Sequence, residues 1–360
     1  MKIGIDLRFA SDDNLYSLFG LEIVKELIKS RKYNLVLYTN EKLDLSLPNC
    51  EVKVVSENPG SIKENFTLKK KFEQENFDLM IFFNEYNPIT YKKNYIVILP
   101  SLKKLFFGPF KNSLCKHYYL KLLTSNLKNA KKIICFDKQT FTDLNERLNI
   151  EEWKIEIIKG FFPIKIEKSN EKIQLLDIKN KHNLKNDYII YDAKEARTKN
   201  LERVLLALKK MKDEGNILSL FILSTEACQN LEFRKIVLDL GISDIVNFIG
   251  EVDPKEKESY YKQSLGIIYP SIYETFPFEL NTALSYDIPI ISSNMESIKN
   301  ILGSNIEYFN ALSNPDTSKA LNLFLKKKKN QDYTEILNQN SSQDYVSELN
   351  KIINEKNQNS

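Results

Sequence analysis

Residues 248–292 read FIGEVDPKEKESYYKQSLGIIYPSIYETFPFELNTALSYDIPIIS. Two apolar runs in this stretch, at 266–269 and 289–292, predict short buried strands, and residues 278–285 between them predict a helix. Parallel strands need a long crossover connection, usually a helix, whereas antiparallel strands can be joined by a tight turn. The stretch therefore predicts a strand–helix–strand unit of a parallel sheet.

The same alternation continues on both sides of this unit. Before it, the pattern predicts strands at 188–191, 218–223 and 246–249 and helices at 200–214, 230–240 and 256–263. The first half of the chain predicts a helix at 20–30 and strands at 2–7, 33–39, 52–56, 77–83, 95–99 and 132–136. Continuous apolar strands of this kind suit a parallel sheet that helices cover on both faces. The predicted fold class is therefore α/β, with two doubly wound Rossmann-like domains that face each other across an interdomain cleft.

The length of the chain is consistent with two domains, since 360 residues exceed what one core comfortably holds. We expect an N-terminal domain at 1–163 and a second domain at 164–344. The polar stretch at 165–187 is expected to contain a linker and a leading helix. A final helix within 345–360 is expected to pack back on the N-terminal domain.

Composition excludes several classes of protein. No stretch approaches the roughly 18 apolar residues of a membrane helix, and the N-terminal MKIGID lacks the apolar core of a signal peptide. The 4 cysteines have no C-x-x-C spacing and indicate reduced thiols, and 2 histidines are too few for a His-rich metal site. The 52 Lys and Arg are balanced by 48 Asp and Glu, which disfavours nucleic acid as a partner.

Two segments of the second half resemble one enzyme family. Residues 270–276, PSIYETF, and 287–291, DIPII, are similar to the P-S-x-x-E-G-F and G-x-P-V-I segments of GT-B glycosyltransferases of the retaining family four, also called group 1. Residues 191–201, YDAKEARTKNL, resemble the G-R-x-x-x-x-K-N-L segment of the same family. The resemblance holds in register over 188–321 and more loosely over 1–163. It implies the GT-B fold, with the acceptor side in the domain at 1–163 and the nucleotide-sugar donor site in the domain at 164–344.

The resemblance implies a cationic site for the diphosphate of a nucleotide-sugar, with no metal and no cofactor. Lys194 and Lys199 occupy the positions of the family's basic pair, and Arg197 is a possible substitute for the first of them. A lysine at the first position keeps the charge but loses the bidentate fork of an arginine. The alternative interpretation is two solvated surface lysines.

The resemblance makes Glu274 the catalytic candidate. It matches the first acid of the family's Glu-x7-Glu motif, and that acid lies near the transferred sugar. Thr275 and Phe276 follow it at a helix start, where backbone amides can meet a phosphate. The alternative for Glu274 is an acid that merely favours the helix dipole.

The chain departs from the family pattern at three places. The second acid of the motif is replaced by Thr282, the loop after the first strand lacks its glycines, and no histidine stands near 100–101. Thr282 and Gly250 remain in the predicted donor site. The departures leave two alternatives, a divergent active transferase or a catalytically weak or inactive subunit that acts as a scaffold for another glycosyltransferase.

The implied activity is transfer of a sugar from a UDP- or GDP-sugar to a glycan or lipid-linked acceptor, with retention of the anomeric configuration. Such a reaction fits the synthesis of cell-surface polysaccharide. The implied location is the cytoplasm or the inner face of the cytoplasmic membrane. Residues 102–111, LKKLFFGPFK, mix lysines with apolar side chains and suggest peripheral membrane contact. The alternative is a surface loop whose phenylalanines pack on the core.

Overall fold

The computed structural model describes residues 1–8, 15–40, 50–58, 61, 63–85, 87–108, 110, 112–164, 175–192, 198–326, 331–339 and 341–355. The chain divides into two compact units. The first unit is Met1–Pro163 together with Asn340–Ser360, and the second is Ile164–Gln339. Each unit contains its own parallel sheet.

The strands of the described ranges form one sheet of seven and one of six. The first sheet consists of β1 Lys2–Asp6, β2 Asn34–Thr39, β3 Cys50–Val54, β4 Leu79–Phe82, β5 Tyr95–Ile98, β6 Lys132–Cys135 and β7 Ile155–Ile157. The second consists of β8 Tyr188–Tyr191, β9 Ser219–Ile222, β10 Val246–Phe248, β11 Ile267–Tyr269, β12 Ile290–Ser293 and β13 Glu307–Phe309. Every pairing between these strands is parallel.

The helices alternate with the strands along the chain. They are α1 Leu15–Ser30, α2 Lys69–Gln74, α3 Lys103–Phe107, α4 Ser113–Asn129, α5 Lys138–Thr142, α6 Ile178–Lys181, α7 Leu201–Asp213, α8 Thr225–Gln229, α9 Leu231–Asp239, α10 Pro254–Gln263, α11 Asn281–Ser285, α12 Glu296–Leu302, α13 Asn314–Phe324, α14 Thr334–Asn338 and α15 Ser342–Asn354. Glu64–Leu68 and Asp143–Arg147 are π-helical turns, and Glu152–Lys154 and Phe278–Leu280 are 3-10 turns.

The strand orders are β3-β2-β1-β4-β5-β6-β7 and β10-β9-β8-β11-β12-β13. In both sheets the order reverses beside the first strand, between β1 and β4 and between β8 and β11. This is the doubly wound arrangement, in which ligands bind at the carboxyl ends of the strands at the reversal point. The prediction of two doubly wound α/β sheets is confirmed, and the two reversal points are the places to look for sites.

Side chains at the helix starts explain where several helices begin. Asn112 accepts a hydrogen bond from the Cys115 amide at 2.9 Å at the start of α4. Asp253 caps α10, whose first residue is a proline, and Ser341 forms a capping box with Asp344 at α15. Such caps each stabilise a helix by about 1 kcal/mol.

The last helix packs within the first unit. The Tyr345 ring of α15 lies 5.2 Å from the Phe19 ring of α1 and 5.8 Å from that of Phe161. Tyr33 donates a hydrogen bond to Asn350 Oδ1 at 2.9 Å. Helix α15 therefore completes the core of a unit whose other elements lie more than 170 residues earlier in the chain.

The segment 102–111 contributes fewer apolar side chains to the surface than the sequence suggests. Leu102 and Leu105 are buried in the core of the first unit, and Phe106 packs against that core. Phe107 is 46% exposed, whereas residues 109 and 111 lie outside the described residues. The two leucines and Phe106 therefore belong to the core, so among the described apolar side chains of this segment Phe107 is the one most exposed to the surface. Within the described ranges, we find no helix of sufficient length and apolarity to cross a membrane.

Candidate functional site

The loops that follow β8 and β11 meet at the reversal point of the six-stranded sheet. Ile190 of β8 pairs directly with Ile267 of β11, so the two loops leave the same edge side by side. The Ile272 amide donates a hydrogen bond to the Thr198 carbonyl at 3.0 Å. This contact ties the loop that carries Lys199 to the loop that carries Glu274.

Lys199 and Glu274 form an ion pair at this edge. The Lys199 ammonium donates to Glu274 Oε2 and to the Tyr269 hydroxyl, and it lies 3.5 Å from Glu279 Oε2. The Lys199 side chain is 1% exposed and that of Glu274 is 10% exposed. The cluster therefore joins one buried ammonium to two carboxylates.

Tyr269, the last residue of β11, lies at the centre of the cluster. Its hydroxyl donates to Glu279 Oε2 at 2.9 Å and also contacts Glu274 Oε2. The Lys199 ammonium lies 4.1 Å from the centre of the Tyr269 ring, within the range of a cation–π contact. The ring and the hydroxyl of one tyrosine thus hold the lysine and both acids together.

The electrostatics of the cluster follow from burial and pairing. Burial raises the pKa of the Glu274 carboxyl, and the Lys199 ammonium opposes that rise. Burial alone would lower the pKa of Lys199, but Glu274 and Glu279 outweigh it and raise the pKa above its usual value. Burial and the two carboxylates also raise the pKa of Tyr269. Lys199 therefore stays charged and Tyr269 neutral, while Glu274 takes up a proton more readily than an exposed acid.

Local hydrogen bonds fix the position of Glu274. The Ser297 hydroxyl donates to the Glu274 backbone carbonyl at 2.6 Å, and the Ser271 hydroxyl donates to the Tyr273 carbonyl at 3.0 Å. Asn200 precedes α7 with a φ of 51°, a left-handed conformation that asparagine tolerates better than most residues. The chain therefore turns sharply after Lys199 and starts α7 without moving the lysine away from the sheet edge.

Thr275 and Phe276 precede the 3-10 turn Phe278–Leu280 rather than an α-helix. Both are buried, and the Phe276 carbonyl accepts a hydrogen bond from the Phe278 amide at 2.9 Å. The regular helix α11 starts only at Asn281. Thr282, in the second-acid position, is 7% exposed within this short helix.

Gly250 has a conformational role that the structure makes explicit. Its φ is 79°, and its amide donates to the Ile222 carbonyl at 3.2 Å. The glycine thus permits the turn after β10, and this hydrogen bond takes up its amide. Lys194 and Arg197, the remaining predicted donor-site residues, lie outside the described residues.

Two members of the cluster were not predicted as site residues. Tyr269 reads as one more apolar position of a strand. Glu279 lies three residues before Thr282, which on a regular helix is a neighbouring position but not the same one. Because residues 278–280 form a 3-10 turn, Glu279 instead reaches Lys199. The signal available in the sequence was a tyrosine directly before the P-S segment.

No group of three or more His, Cys, Asp or Glu side chains within the described ranges is arranged to hold a metal ion. Among the described side chains, the cluster at the β8/β11 edge instead consists of one ammonium, two carboxylates and a phenol. Such a set can bind the charged and hydroxylated parts of a ligand by exchanging its internal hydrogen bonds.

Comparison with known families identifies this half of the chain. Residues 173–344 match the family model described as "Glycosyl transferases group 1". Residues 173–344 are a group 1 glycosyl transferase domain. The cluster of Lys199, Tyr269, Glu274 and Glu279 lies inside the matched region.

The chain is also similar in sequence to a curated protein. The O-antigen chain mannosyltransferase RfbU of Salmonella typhimurium is 23% identical over 205 residues, which cover 57% of this chain and 53% of that protein. The chain thus spans about half the length of the curated relative that it matches.

Solved structures match the whole chain and show its fold. HepE from Anabaena in complex with UDP and glucose has a TM-score of 0.69 at 13% identity, and the match covers 98% of this chain and 96% of that one. A structure described as trehalose-6-phosphate from E. coli bound with UDP-2-fluoro glucose has a TM-score of 0.70 at 11% identity, covering 99% and 100% of the two chains. The chain therefore has the GT-B fold.

Proposed function

We propose that the chain is a metal-independent, retaining glycosyltransferase that moves a sugar from a UDP- or GDP-sugar to a glycan or lipid-linked acceptor. The supporting observation is the buried Lys199–Glu274 pair at the β8/β11 reversal point, inside the group 1 domain. The similarity to an O-antigen mannosyltransferase favours a role in cell-surface polysaccharide synthesis, at the inner face of the cytoplasmic membrane.

The cluster suits a donor with a charged diphosphate. In the proposed reaction, a phosphate oxygen of the donor replaces a carboxylate at the Lys199 ammonium, and Lys194 and Arg197 add charge from the same loop. The backbone of Thr275 and Phe276 faces the same group. A cation beside the leaving diphosphate stabilises the charge that develops as the glycosidic C–O bond breaks.

Glu274 is released from Lys199 in this proposal and binds hydroxyls of the transferred sugar. The acceptor hydroxyl attacks the anomeric carbon on the face that the diphosphate leaves, and its proton passes to the departing phosphate oxygen. One C–O bond breaks and another forms on the same face, so the anomeric configuration is retained. Thr282 and Gly250 are proposed to shape the nucleotide end of the site.

Nucleotide binding by the cluster can be tested with UDP and GDP at millimolar concentration. One of them is expected to raise the melting temperature of the wild-type protein, since a ligand that binds the native state stabilises it. Lys199→Ala should abolish the shift. The matched control is Lys210→Ala on α7, a 52% exposed lysine that is expected to keep it. A melting temperature that neither nucleotide changes would contradict the proposed donor site.

A second candidate function is a catalytically weak or inactive subunit that supports another glycosyltransferase. The observation that favours it is the near-complete burial of Lys199, whose ammonium already has carboxylate partners, together with Thr282 in place of the second acid. The enzyme and the inactive subunit are distinguished by whether the protein releases free sugar from a UDP- or GDP-sugar that it binds. Binding without sugar release or transfer would support the subunit, whereas either reaction supports the enzyme.

Peripheral membrane contact is proposed for the region that begins at 102–111 and continues onto α4. Phe107, Leu114 and Tyr118 are exposed by 46%, 78% and 62%, and the neighbouring Lys104 and Lys116 are exposed as well. Exposed apolar groups beside lysines suit an anionic lipid surface. The protein is expected to sediment with vesicles containing phosphatidylglycerol at low salt, and Leu114→Asp should weaken this. Absence of sedimentation would refute the contact.

A further inference from the structure

Glu279 is the member of the Lys199 cluster that the proposed reaction leaves without a role. It lies in the 3-10 turn Phe278–Leu280, and its Oε2 atom is 2.9 Å from the Tyr269 hydroxyl and 3.5 Å from the Lys199 ammonium. Its side chain is 25% exposed, against 10% for that of Glu274 and 1% for that of Lys199. Glu279 is therefore the most solvent-accessible of the three charged groups.

The cluster holds more negative than positive charge among the described side chains. One ammonium, that of Lys199, meets the carboxylates of Glu274 and Glu279. The Tyr269 hydroxyl has a single proton, yet an oxygen of each acid lies within hydrogen-bond distance of it. Burial raises the pKa of the Glu274 carboxyl, the Lys199 ammonium opposes that rise, and the Glu279 carboxylate adds to it. The two acids therefore compete for the same donors.

The titratable groups that act on Glu279 come from several elements of the second unit. Lys199 precedes α7, Tyr269 ends β11, and Glu274 follows β11 in the chain. Tyr191, the last residue of β8, donates from its hydroxyl to the Lys199 carbonyl at 3.3 Å. Burial and nearby carboxylates, that of Glu279 among them, raise the pKa of Tyr191. Both tyrosines thus stay neutral, and Lys199 is the positive charge that the described residues place beside Glu279.

A diphosphate at Lys199 changes the balance around Glu279. In the proposed reaction, Glu274 leaves the ammonium for the hydroxyls of the sugar, and a phosphate oxygen takes its place. Glu279, beside Tyr269, then shares the ammonium with the phosphate. A nearby like charge disfavours the ionised form of a carboxyl group. Protonation of Glu279 removes the repulsion, and its partly exposed side chain can take the proton from solvent.

We propose that Glu279 is a positioning residue, which holds the Lys199 ammonium before the donor arrives and yields it by taking up a proton as the donor binds. The inference rests on the proposed function and adds one step to it, the transfer of one proton from solvent to a carboxylate oxygen of Glu279. A neutral Glu279 can still hydrogen-bond with Tyr269, so the lysine stays at the sheet edge while its charge becomes available to the phosphate. The affinity for a diphosphate should therefore fall as the pH rises, because protonation becomes harder.

Isothermal titration calorimetry at pH 6 and pH 8 tests the proposal, with whichever of UDP and GDP binds the wild type. At pH 8, Glu279→Gln should bind the nucleotide at least about tenfold more tightly than the wild type, since its neutral amide needs no proton. The gap should narrow towards pH 6, by up to about tenfold per pH unit for one proton. The terminal phosphate of the nucleotide also titrates, but it does so for both proteins, so the difference between them reports on residue 279.

Two further variants separate the charge of Glu279 from a structural contribution. Glu279→Ala also lacks the carboxylate and should lose the same pH dependence, so the result does not depend on the folding of one variant. Glu214→Gln is the matched control at the far end of α7, where a 48% exposed carboxylate lies 3.8 Å from the Lys210 ammonium. It should bind as the wild type does at both pH values. Replacing a merely structural glutamate would change the melting temperature and leave the pH dependence of the affinity as it was.

The outcomes separate this inference from the proposed function. Equal affinity of the wild type and Glu279→Gln at pH 8, or a gap of the same size at both pH values, would overturn the proton-linked role of Glu279 and leave the proposed donor site in place. Failure of both UDP and GDP to bind the wild type would overturn the donor site itself, and the role of Glu279 with it.

Discussion

Replacing Lys199 with methionine should destabilise the protein strongly and in a pH-dependent way. The substitution keeps the length of a side chain that is 1% exposed and removes the only ammonium that the structure shows within the cluster. Glu274 and Glu279 are then left facing each other, with Glu274 only 10% exposed. Removing one partner of a buried ion pair costs about 3–5 kcal/mol, because the other charge stays buried without compensation.

Protonation of Glu274 sets an upper limit to this cost. The ordinary pKa of a glutamate is 4.5. At a higher pH, protonating the carboxylate costs about 1.4 kcal/mol for each pH unit above that pKa. The limit is therefore about 4 kcal/mol at pH 7.5 and about 1.4 kcal/mol at pH 5.5. Because Lys199→Met raises the folded-state pKa of Glu274 further, the lost stability is fully expressed above that raised pKa and disappears as the pH falls towards 4.5.

Urea denaturation of the wild type and Lys199→Met at pH 7.5 and 5.5 measures the two differences in free energy of unfolding. The double variant Lys199→Met with Glu274→Gln is the control, and it should recover most of the loss at pH 7.5, because only the partly exposed Glu279 then remains charged. A loss below about 1 kcal/mol, or one of the same size at both pH values, would refute the assignment of Lys199 and Glu274 as a buried, coupled pair.

Three further predictions concern other parts of the molecule. Glu85→Gln should raise the melting temperature at pH 7.5 and have no effect near pH 4.5, because a raised folded-state pKa penalises the charged form only above the ordinary value. Gly250→Ala should lower the free energy of unfolding by about 1–2 kcal/mol, because an alanine is strained at a φ of 79°. Gly215→Ala, at a φ of 83°, should cost the same, since at neither position does the new methyl group meet an atom closer than 3.9 Å. Tyr345→Ala should cost roughly 3–5 kcal/mol in urea denaturation, because its buried ring joins α15 to the first unit. A clear gap between the two glycine variants, or a Tyr345→Ala loss under about 1 kcal/mol, would contradict these expectations.

The sequence predicted the fold well where strands are continuous and apolar. The runs of β1, β4 and β11 are buried along nearly their whole length, and each was predicted from hydrophobicity alone. β7 and β13 were not predicted. Each has three residues and is partly exposed at a sheet edge, so neither shows a continuous apolar run.

The site was predicted only in part, because its geometry depends on contacts distant in sequence. Lys199 and Glu274 were both singled out, but 75 positions separate them, and only the β8/β11 pairing brings them together. The sequence suggested that Lys199 faces a diphosphate, whereas the structure shows its ammonium paired with carboxylates. Propensity gives no means of foreseeing that the chain after Glu274 makes a 3-10 turn, which is what brings Glu279 to the lysine.

The two reversal points are filled in different ways, and the difference indicates where each unit has room for a ligand. After β1, the Arg8 guanidinium is completely buried and donates to Asp6 Oδ1 and Oδ2 at 2.9 and 2.8 Å, to the Glu57 carbonyl at 2.9 Å and to Glu64.

The charge of Arg8 is therefore taken up by acceptors within the first unit. Breaking its pairs would cost several kcal/mol, since buried charges would be left uncompensated. A cavity of the first unit lies beyond β4, where Asn87 and Glu85 are among the residues that line it. The second sheet instead keeps its lysine beside exchangeable carboxylates. The charged donor of the proposed reaction therefore suits the second reversal point better than the first.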